Sequence, residues 1–107
     1  MKPEAPLGTF EEQVMVAVLR TTDAAYGMTV RREIESVTGR EVAVGAVYAT
    51  LDRLEAKRLV TSKRTTVDGV SRRLFAVTST GARMLAESRA MRDLLWKGVD
   101  LRALLSS

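Results

Sequence analysis

The chain has 107 residues, 46% of them hydrophobic and 28% charged, which fits one globular domain with a single core rather than a disordered segment. It contains no cysteine and no histidine, which removes disulfides, thiolate chemistry, the commonest general base and the commonest metal ligand together. Net charge is +4 with a pI near 10.0, a balance that suits a polyanionic partner.

Thr9 and Glu12 have capping-box spacing, so a helix is expected from about residue 10, with Phe10, Val14, Ala17 and Val18 on its apolar face and an end near Thr21. A second helix is expected after Tyr26-Gly27. Val30, Ile34 and Val37 would face inward, with Arg31, Arg32, Glu33 and Glu35 outside, and Gly39 is placed to end it as a left-handed residue. Residues 40–43 read as a short extended link. A third helix covers residues 44–57, with Val47, Leu51 and Leu54 inward and Ala46, Ala49, Thr50, Arg53 and Lys57 outward. The hydrophobic period then changes. LVTSKRTTV and VSRRLFAVT flank Asp68-Gly69, the pattern of a hairpin, with Arg64 on one arm and Arg72 and Arg73 on the other, close to its tip. Thr78 opens a last helix with Met84, Met91 and Leu95 along one side, Gly98 ends or kinks it, and Asp100 is placed to cap a terminal turn in LRALLSS.

Three helices, a hairpin and a helix make a mainly α chain with a small β-hairpin, the winged helix-turn-helix arrangement, in which the third helix can enter a DNA major groove. The charge map agrees. Residues 40–73 hold eight cations (Arg40, Arg53, Lys57, Arg58, Lys63, Arg64, Arg72, Arg73) and four acids (Glu41, Asp52, Glu55, Asp68), while the rest of the chain holds nine of each. The whole excess therefore lies on the third helix and the hairpin. The outer face of that helix begins with small residues, Gly45, Ala46 and Ala49, which allow close approach to a groove floor.

Tyr26-Gly27, Gly45-Ala46-Val47-Tyr48 followed by Leu51 and Leu54-Glu55, Arg72-Arg73-Leu74-Phe75, and Val77-Thr78 with Gly81 resemble the PadR-type transcriptional regulators, over roughly residues 10–85. The resemblance implies a winged-helix DNA-binding domain over residues 1–78 and a dimerisation helix over residues 79–107, in one compact unit. It implies a repressor-like regulator that acts as a homodimer on a palindromic operator, without a cofactor or metal. By that likeness Tyr48 reaches DNA from the start of the recognition helix, and Arg72 and Arg73 are the basic pair entering the second wing strand. The expected DNA-binding set is then Gly45, Ala46, Tyr48, Ala49, Thr50, Arg53, Lys57, Lys63, Arg64, Arg72 and Arg73. The expected dimer interface is Met84, Met91, Leu95 and Trp96. Three positions depart from the family pattern: Ala43 stands where a hydroxyl N-cap is common, Ala46 where a small hydroxyl residue is frequent, and Arg58 where glycine is usual.

Plainer readings stand beside these. Tyr48 can be a half-buried packing residue. Arg72 and Arg73 alternate sides on a strand, so only one of them need meet DNA. Trp96 reads either as interface core or as a platform for a planar small-molecule effector. The alternative function is a winged-helix protein-interaction module that binds no DNA. Catalysis has no Ser-His or Cys-His pair and no GxxxxGK[ST] loop to rest on. With no apolar run near the roughly 18 residues of a membrane span and no apolar stretch in MKPEAPLGTFEE, a cytoplasmic protein is expected, away from the membrane.

Overall fold

The structure is a computed structural model that describes residues 7–106. The reading of the N-terminus as lacking a signal peptide rests largely on residues 1–6, outside the described residues. The elements are α1 (Thr9–Thr21), a 3-10 turn (Thr22–Ala24), α2 (Gly27–Thr38), α3 (Val44–Ala56), β1 (Val60–Val67), β2 (Val70–Val77), α4 (Ser79–Trp96) and α5 (Arg102–Leu105). This is the expected winged helix: three packed helices, an antiparallel hairpin and a long last helix. Among the described residues no helix is long and apolar enough to cross a membrane.

Both of the first two helices are capped from the inside. Gly8, not Thr9, is the N-cap of α1, and its N–H donates to Glu11 Oε1 at 3.0 Å, so the capping carboxylate is Glu11 instead of Glu12. At α2 the Tyr26 N–H donates to Thr29 Oγ1 at 2.9 Å. Neither N-cap side chain accepts a bond, so each helix is held by its third residue reaching back. The link between α2 and α3 is held in the same manner. Val42 N–H donates to Glu35 Oε2 at 2.8 Å, and Arg31 Nε donates to Val42 O at 2.6 Å.

The core is Val14, Met15, Ala17 and Val18 of α1, Val30 and Ile34 of α2, Val47, Leu51 and Leu54 of α3, and Leu59, Val60 and Phe75 from the hairpin. Val37 departs from expectation. It is 63% exposed, because α2 ends one residue later, at Thr38, and its last turn runs past the core. The hairpin closes through a two-residue turn with Asp68 at φ 50° and Gly69 at φ 77°, and Val67 pairs with Val70. Two consecutive positive φ values are what a tight right-twisted hairpin requires. At the hairpin base, Thr78 N–H donates to Leu59 O at 3.0 Å, and Gly81 N–H donates to Thr78 Oγ1 at 3.0 Å. A β-carbon at position 81 would lie 2.1 Å from Leu59 O, so the chain can enter α4 this closely only through glycine.

Thr50 overturns an expectation. It is 1% exposed and accepts a hydrogen bond from Arg53 Nη2 at 3.1 Å. At about 100° per residue, position 50 lies about 60° from Val47 and about 40° beyond Leu54, at the edge of the stripe that Val47, Leu51 and Leu54 define, and the buried arc of α3 extends to include it. Thr50 is therefore a core residue and does not face outward as expected.

Met84 is also reassigned. With Leu85 it packs, partly buried, on this chain's own core.

Two outcomes follow for stability. Leu51→Ala should lower the unfolding free energy by roughly 2–5 kcal/mol through a core cavity, and Thr50→Ala by about 1–2 kcal/mol through a small cavity and a lost acceptor; thermal unfolding of both variants checks the order. The Glu11 carboxyl is held below its usual value of 4.5 by the Gly8 N–H, with burial opposing and Lys57 assisting. Its folded pKa is depressed, so its contribution is present above 4.5 and lost as pH falls through the lowered value. Glu11→Gln should flatten that acid loss in a pH series of melting curves.

Candidate nucleic-acid interface

Helix α3 presents three different surfaces, and the spacing of its residues dictates which is which. Val47, Thr50, Leu51 and Leu54 are buried. Tyr48, Asp52 and Glu55 recur at i, i+4 and i+7 on a second stripe, which faces the hairpin. Gly45, Ala46, Ala49 and Arg53 are exposed and form the free face. Ala43 is the N-cap and has no side-chain bond to offer, so the first N–H groups of α3 remain open apart from 3-10-like contacts to Ala43 O.

Tyr48 owes its position to Gly27. A β-carbon on residue 27 would lie 2.2 Å from Tyr48 Cζ and 2.4 Å from its hydroxyl oxygen, so the ring occupies the space a side chain would take at the start of α2. The packing reading of Tyr48 is what the geometry shows: the ring packs on α2, and the residue is half-buried. Its hydroxyl has no protein acceptor among the described residues.

The basic pair of the second wing strand divides, as neighbouring strand positions must. Arg73 turns to α3. Its Nη1 meets Asp52 Oδ1 at 3.0 Å and its Nη2 meets Glu55 Oε1 at 2.7 Å, while its guanidinium carbon lies 4.7 Å from the Phe75 ring centroid. Burial works against the charge, yet the hydrogen bonds and fields of Asp52 and Glu55 outweigh it and raise the pKa. Glu55 Oε2 also accepts from Ser62 of β1 at 2.8 Å. The expectation that Arg73 is a free phosphate donor is therefore corrected: its charge is spent on fixing the hairpin to α3. Arg72 stays outside the pair and lies over the Tyr26 ring, 5.5 Å from its centroid.

Arg64 and Arg72 share a groove of about 430 Å³ with Tyr26, Arg32 and Tyr48, between the helices and the hairpin. Two expected members lie elsewhere. Lys63 sits by Leu74 and Leu19 in a different recess, and Lys57 pairs with Glu11 of α1 at 3.2 Å. Arg58 adopts the left-handed conformation at φ 62°, where glycine would be unstrained. Tyr26 and Arg32 are groove residues that the sequence reading left out. Arg32 was placed on a merely solvated helix face. The available signal was its i, i+4 spacing from Met28, another groove residue. Among the described residues there is no group of three or more acids that could hold a metal ion.

A tri-helical core, a hairpin and an exposed α3 with cations beside it define a winged helix with a basic face. The profile described as "Transcriptional regulator PadR-like family" matches residues 15–87, well over half the chain, and the protein belongs to that family of transcriptional regulators. The transcriptional regulator Rv3488 of Mycobacterium tuberculosis is 43% identical over 51 residues; the match spans about half of either protein, 48% of each. Three solved structures share the fold. H. salinarum RosR has 23% identity over 94% of this chain and 86% of that one, with a TM-score of 0.68. A PadR-like regulator from Bacillus cereus has 18% identity, 94% and 94% coverage, and a TM-score of 0.70. A PadR family regulator from Clostridium difficile has 22% identity, 90% and 98% coverage, and a TM-score of 0.68.

The two wing arginines should behave differently. Arg73→Ala should lower the melting temperature, because it leaves Asp52 and Glu55 without their cation beside the hairpin. Arg72→Ala should leave melting nearly unchanged but reduce the salt slope of DNA binding by about one. Melting curves and salt titrations of both variants check this; an Arg73→Ala protein as stable as the parent would contradict the structural role.

Proposed function

We propose that this regulator binds duplex DNA sequence-specifically as a homodimer, represses transcription, and recognises a palindromic operator from the cytoplasm. The observation that carries the reading is the free face of α3. Gly45, Ala46 and Ala49 present no bulk there, and Arg53 is its one long donor. In a major groove such a face reads thymine methyl groups by close fit, with Arg53 able to reach a guanine. Tyr48 anchors the helix at the groove edge, and Arg64 and Arg72 take phosphates. Thr50 and Arg73 have no part in the contact, and Lys57 and Lys63 contribute only to the general field.

The homodimer is supported by the last third of the chain. From Met91 to Leu105 the exposed large apolar residues are Met91, Leu94, Leu95, Trp96, Val99, Leu101, Leu104 and Leu105, between 41% and 79% exposed. That is more contiguous apolar surface than a small monomer keeps in water. We assign Met91, Leu95 and Trp96 to the interface, with the ring of Trp96 as interface core in preference to an effector platform. Two-fold symmetry of the protein then demands half-sites about one helical turn apart.

Binding to duplex DNA at two salt concentrations separates this reading from a protein-interaction module. A regulator should lose affinity steeply as salt rises, because each phosphate contact releases counterions; a salt-insensitive or absent interaction would favour the module. Sedimentation of the full chain should give the mass of a dimer, and Leu95→Asp with Trp96→Asp should shift it to monomers that keep their helical content. A chain that sediments as a monomer at working concentration would remove the homodimer and the palindrome with it.

A further inference from the structure

We infer that Arg31 and Glu35 of α2 are positioning residues for sequence recognition: together they clamp the backbone of Val42, in the link before α3, and so set the pose in which the free face of α3 meets DNA. This rests on the DNA-binding reading and adds to it two residues whose role requires no contact with DNA. Each side chain takes one backbone group of the same residue. Glu35 Oε2 accepts from the Val42 N–H at 2.8 Å, and Arg31 Nε donates to Val42 O at 2.6 Å. The two side chains also meet each other, with Arg31 Nη2 3.5 Å from the same Glu35 oxygen. They stand one turn apart on α2, so the helix offers an acceptor and a donor side by side to one residue of the link. A neighbouring β-strand serves an extended residue in the same manner, exchanging both bonds with it. Here both bonds involve charged groups, which makes them stronger than neutral ones. The Val42 side chain packs, partly buried, against the core, so the residue is held at three points.

The first half of α3 depends on this clamp for direction. Ala43, the N-cap, has no side-chain group to bond the first turn. Val47, Leu51 and Leu54 bury one face of the helix, but apolar burial is non-directional and does not by itself fix where the helix starts along its axis. The ion pairs that tie α3 to other elements, through Asp52, Glu55 and the C-cap Lys57, all lie at its far end. The free face begins at Gly45, three residues after the clamp, and continues with Ala46 and Ala49. Side chains this short cannot reach or adjust. A long side chain can follow a displaced helix, whereas a face of glycine and alanine fits a groove floor only where its backbone stands in the right place. Loss of the clamp should therefore cost fit to a particular sequence and leave general attraction to phosphate intact.

The test uses the full chain and two duplexes: an operator enriched from a random pool by the parent protein, and a mixed-sequence duplex. Affinities for both are measured for the parent, Glu35→Ala, Glu35→Gln, Arg31→Met and Arg40→Ala. Glu35→Ala removes a negative charge, so an effect of charge alone would tighten binding to every duplex. Instead, operator binding should weaken by about 5–10-fold, the scale of one impaired base contact, while mixed-sequence binding holds or rises slightly. Glu35→Gln keeps an oxygen that accepts from the Val42 N–H and should restore part of the loss. Arg31→Met should weaken both complexes, the operator complex more. Arg40→Ala removes a cation of the same link outside the clamp and should weaken both by the same factor. A merely structural role would lower the folded fraction and scale both affinities together, leaving their ratio unchanged. A ratio for Glu35→Ala within twofold of the parent's would thus overturn the inference, as would an equal loss of ratio in Arg40→Ala. If Glu35→Ala does not fold, Glu35→Gln and Arg31→Met carry the same comparison. Without DNA, the Val42 amide should exchange its hydrogen faster in Glu35→Ala or Glu35→Gln than in the parent; an unchanged rate in both would mean that the bond does not hold the link and would overturn the clamp directly. A parent protein that enriches no operator would instead refute the sequence-specific reading on which the inference stands.

Discussion

The Arg73 guanidinium between Asp52 and Glu55 is the contact on which the geometry of the binding surface depends. A two-stranded hairpin has little stability of its own in water. Its base is fixed by Phe75 and Val60 in the core and by the Phe75 N–H donated to Ala25 O at 2.9 Å, but its outer half has no such support. The double ion pair ties the hairpin to α3 at mid-length, where Arg73 pairs across the strands with Arg64, and Ser62 on the base side adds a third tie through Glu55. An isolated surface pair of this kind contributes about 0–1 kcal/mol, whereas two carboxylates on one partly buried guanidinium, stacked on Phe75, act as a small network with fixed direction. The pairing has an electrostatic effect as well. Asp52 and Glu55 are acids on the helix proposed to approach DNA, and Arg73 neutralises both.

Two glycines do comparable work by omission. Gly27 gives up its side-chain space to the Tyr48 ring, and Gly81 to the Leu59 carbonyl. At Gly27 a side chain, and at Gly81 a backbone carbonyl, comes closer than a residue with a β-carbon would permit, and in each case the result is placement: Tyr48 at the edge of the groove, α4 against the base of the hairpin. Neither position needs glycine for its backbone conformation. Both lie in helices, where glycine weakens the element by about 0.5–1 kcal/mol relative to alanine, so close packing and not a turn explains them.

The sequence was legible where one periodicity dominates. The ends of α2 and α3, the hairpin and its turn follow from a 3.6-residue stripe, a left-handed glycine and an Asp-Gly pair. The site was legible only in part, for two physical reasons. Thr50 carries a hydroxyl, which reads as surface, yet its angle on the helix places it in the core, where its oxygen is satisfied by Arg53. Arg72 and Arg73 are chemically identical, and what separates them is strand alternation plus the location of two acids twenty residues earlier. Such partnerships across elements leave no local pattern. Arg32 shows the same limit from the other side: its neighbours Arg31 and Glu35 are occupied with the link to α3, and only the tertiary arrangement shows that Arg32 is not.

Arg58 indicates how evenly matched local effects can be in this region. It holds φ 62° immediately after α3, and its N–H donates to Glu55 O at 2.9 Å. The left-handed conformation costs a side-chain-bearing residue about 1–2 kcal/mol. A cation at a helix C-terminus returns about 0.3–1 kcal/mol through the helix dipole, and a non-glycine residue removes freedom from the unfolded chain, worth about 0.4–1 kcal/mol. The sums nearly cancel, so stability does not decide between arginine and glycine here. What arginine adds at no net loss is a charge, set two residues before β1, the strand that leads to the groove. The chain's positive excess is therefore of two kinds: cations such as Arg73 that are consumed in holding the fold, and cations such as Arg58, Arg64 and Arg72 that the fold leaves unpaired.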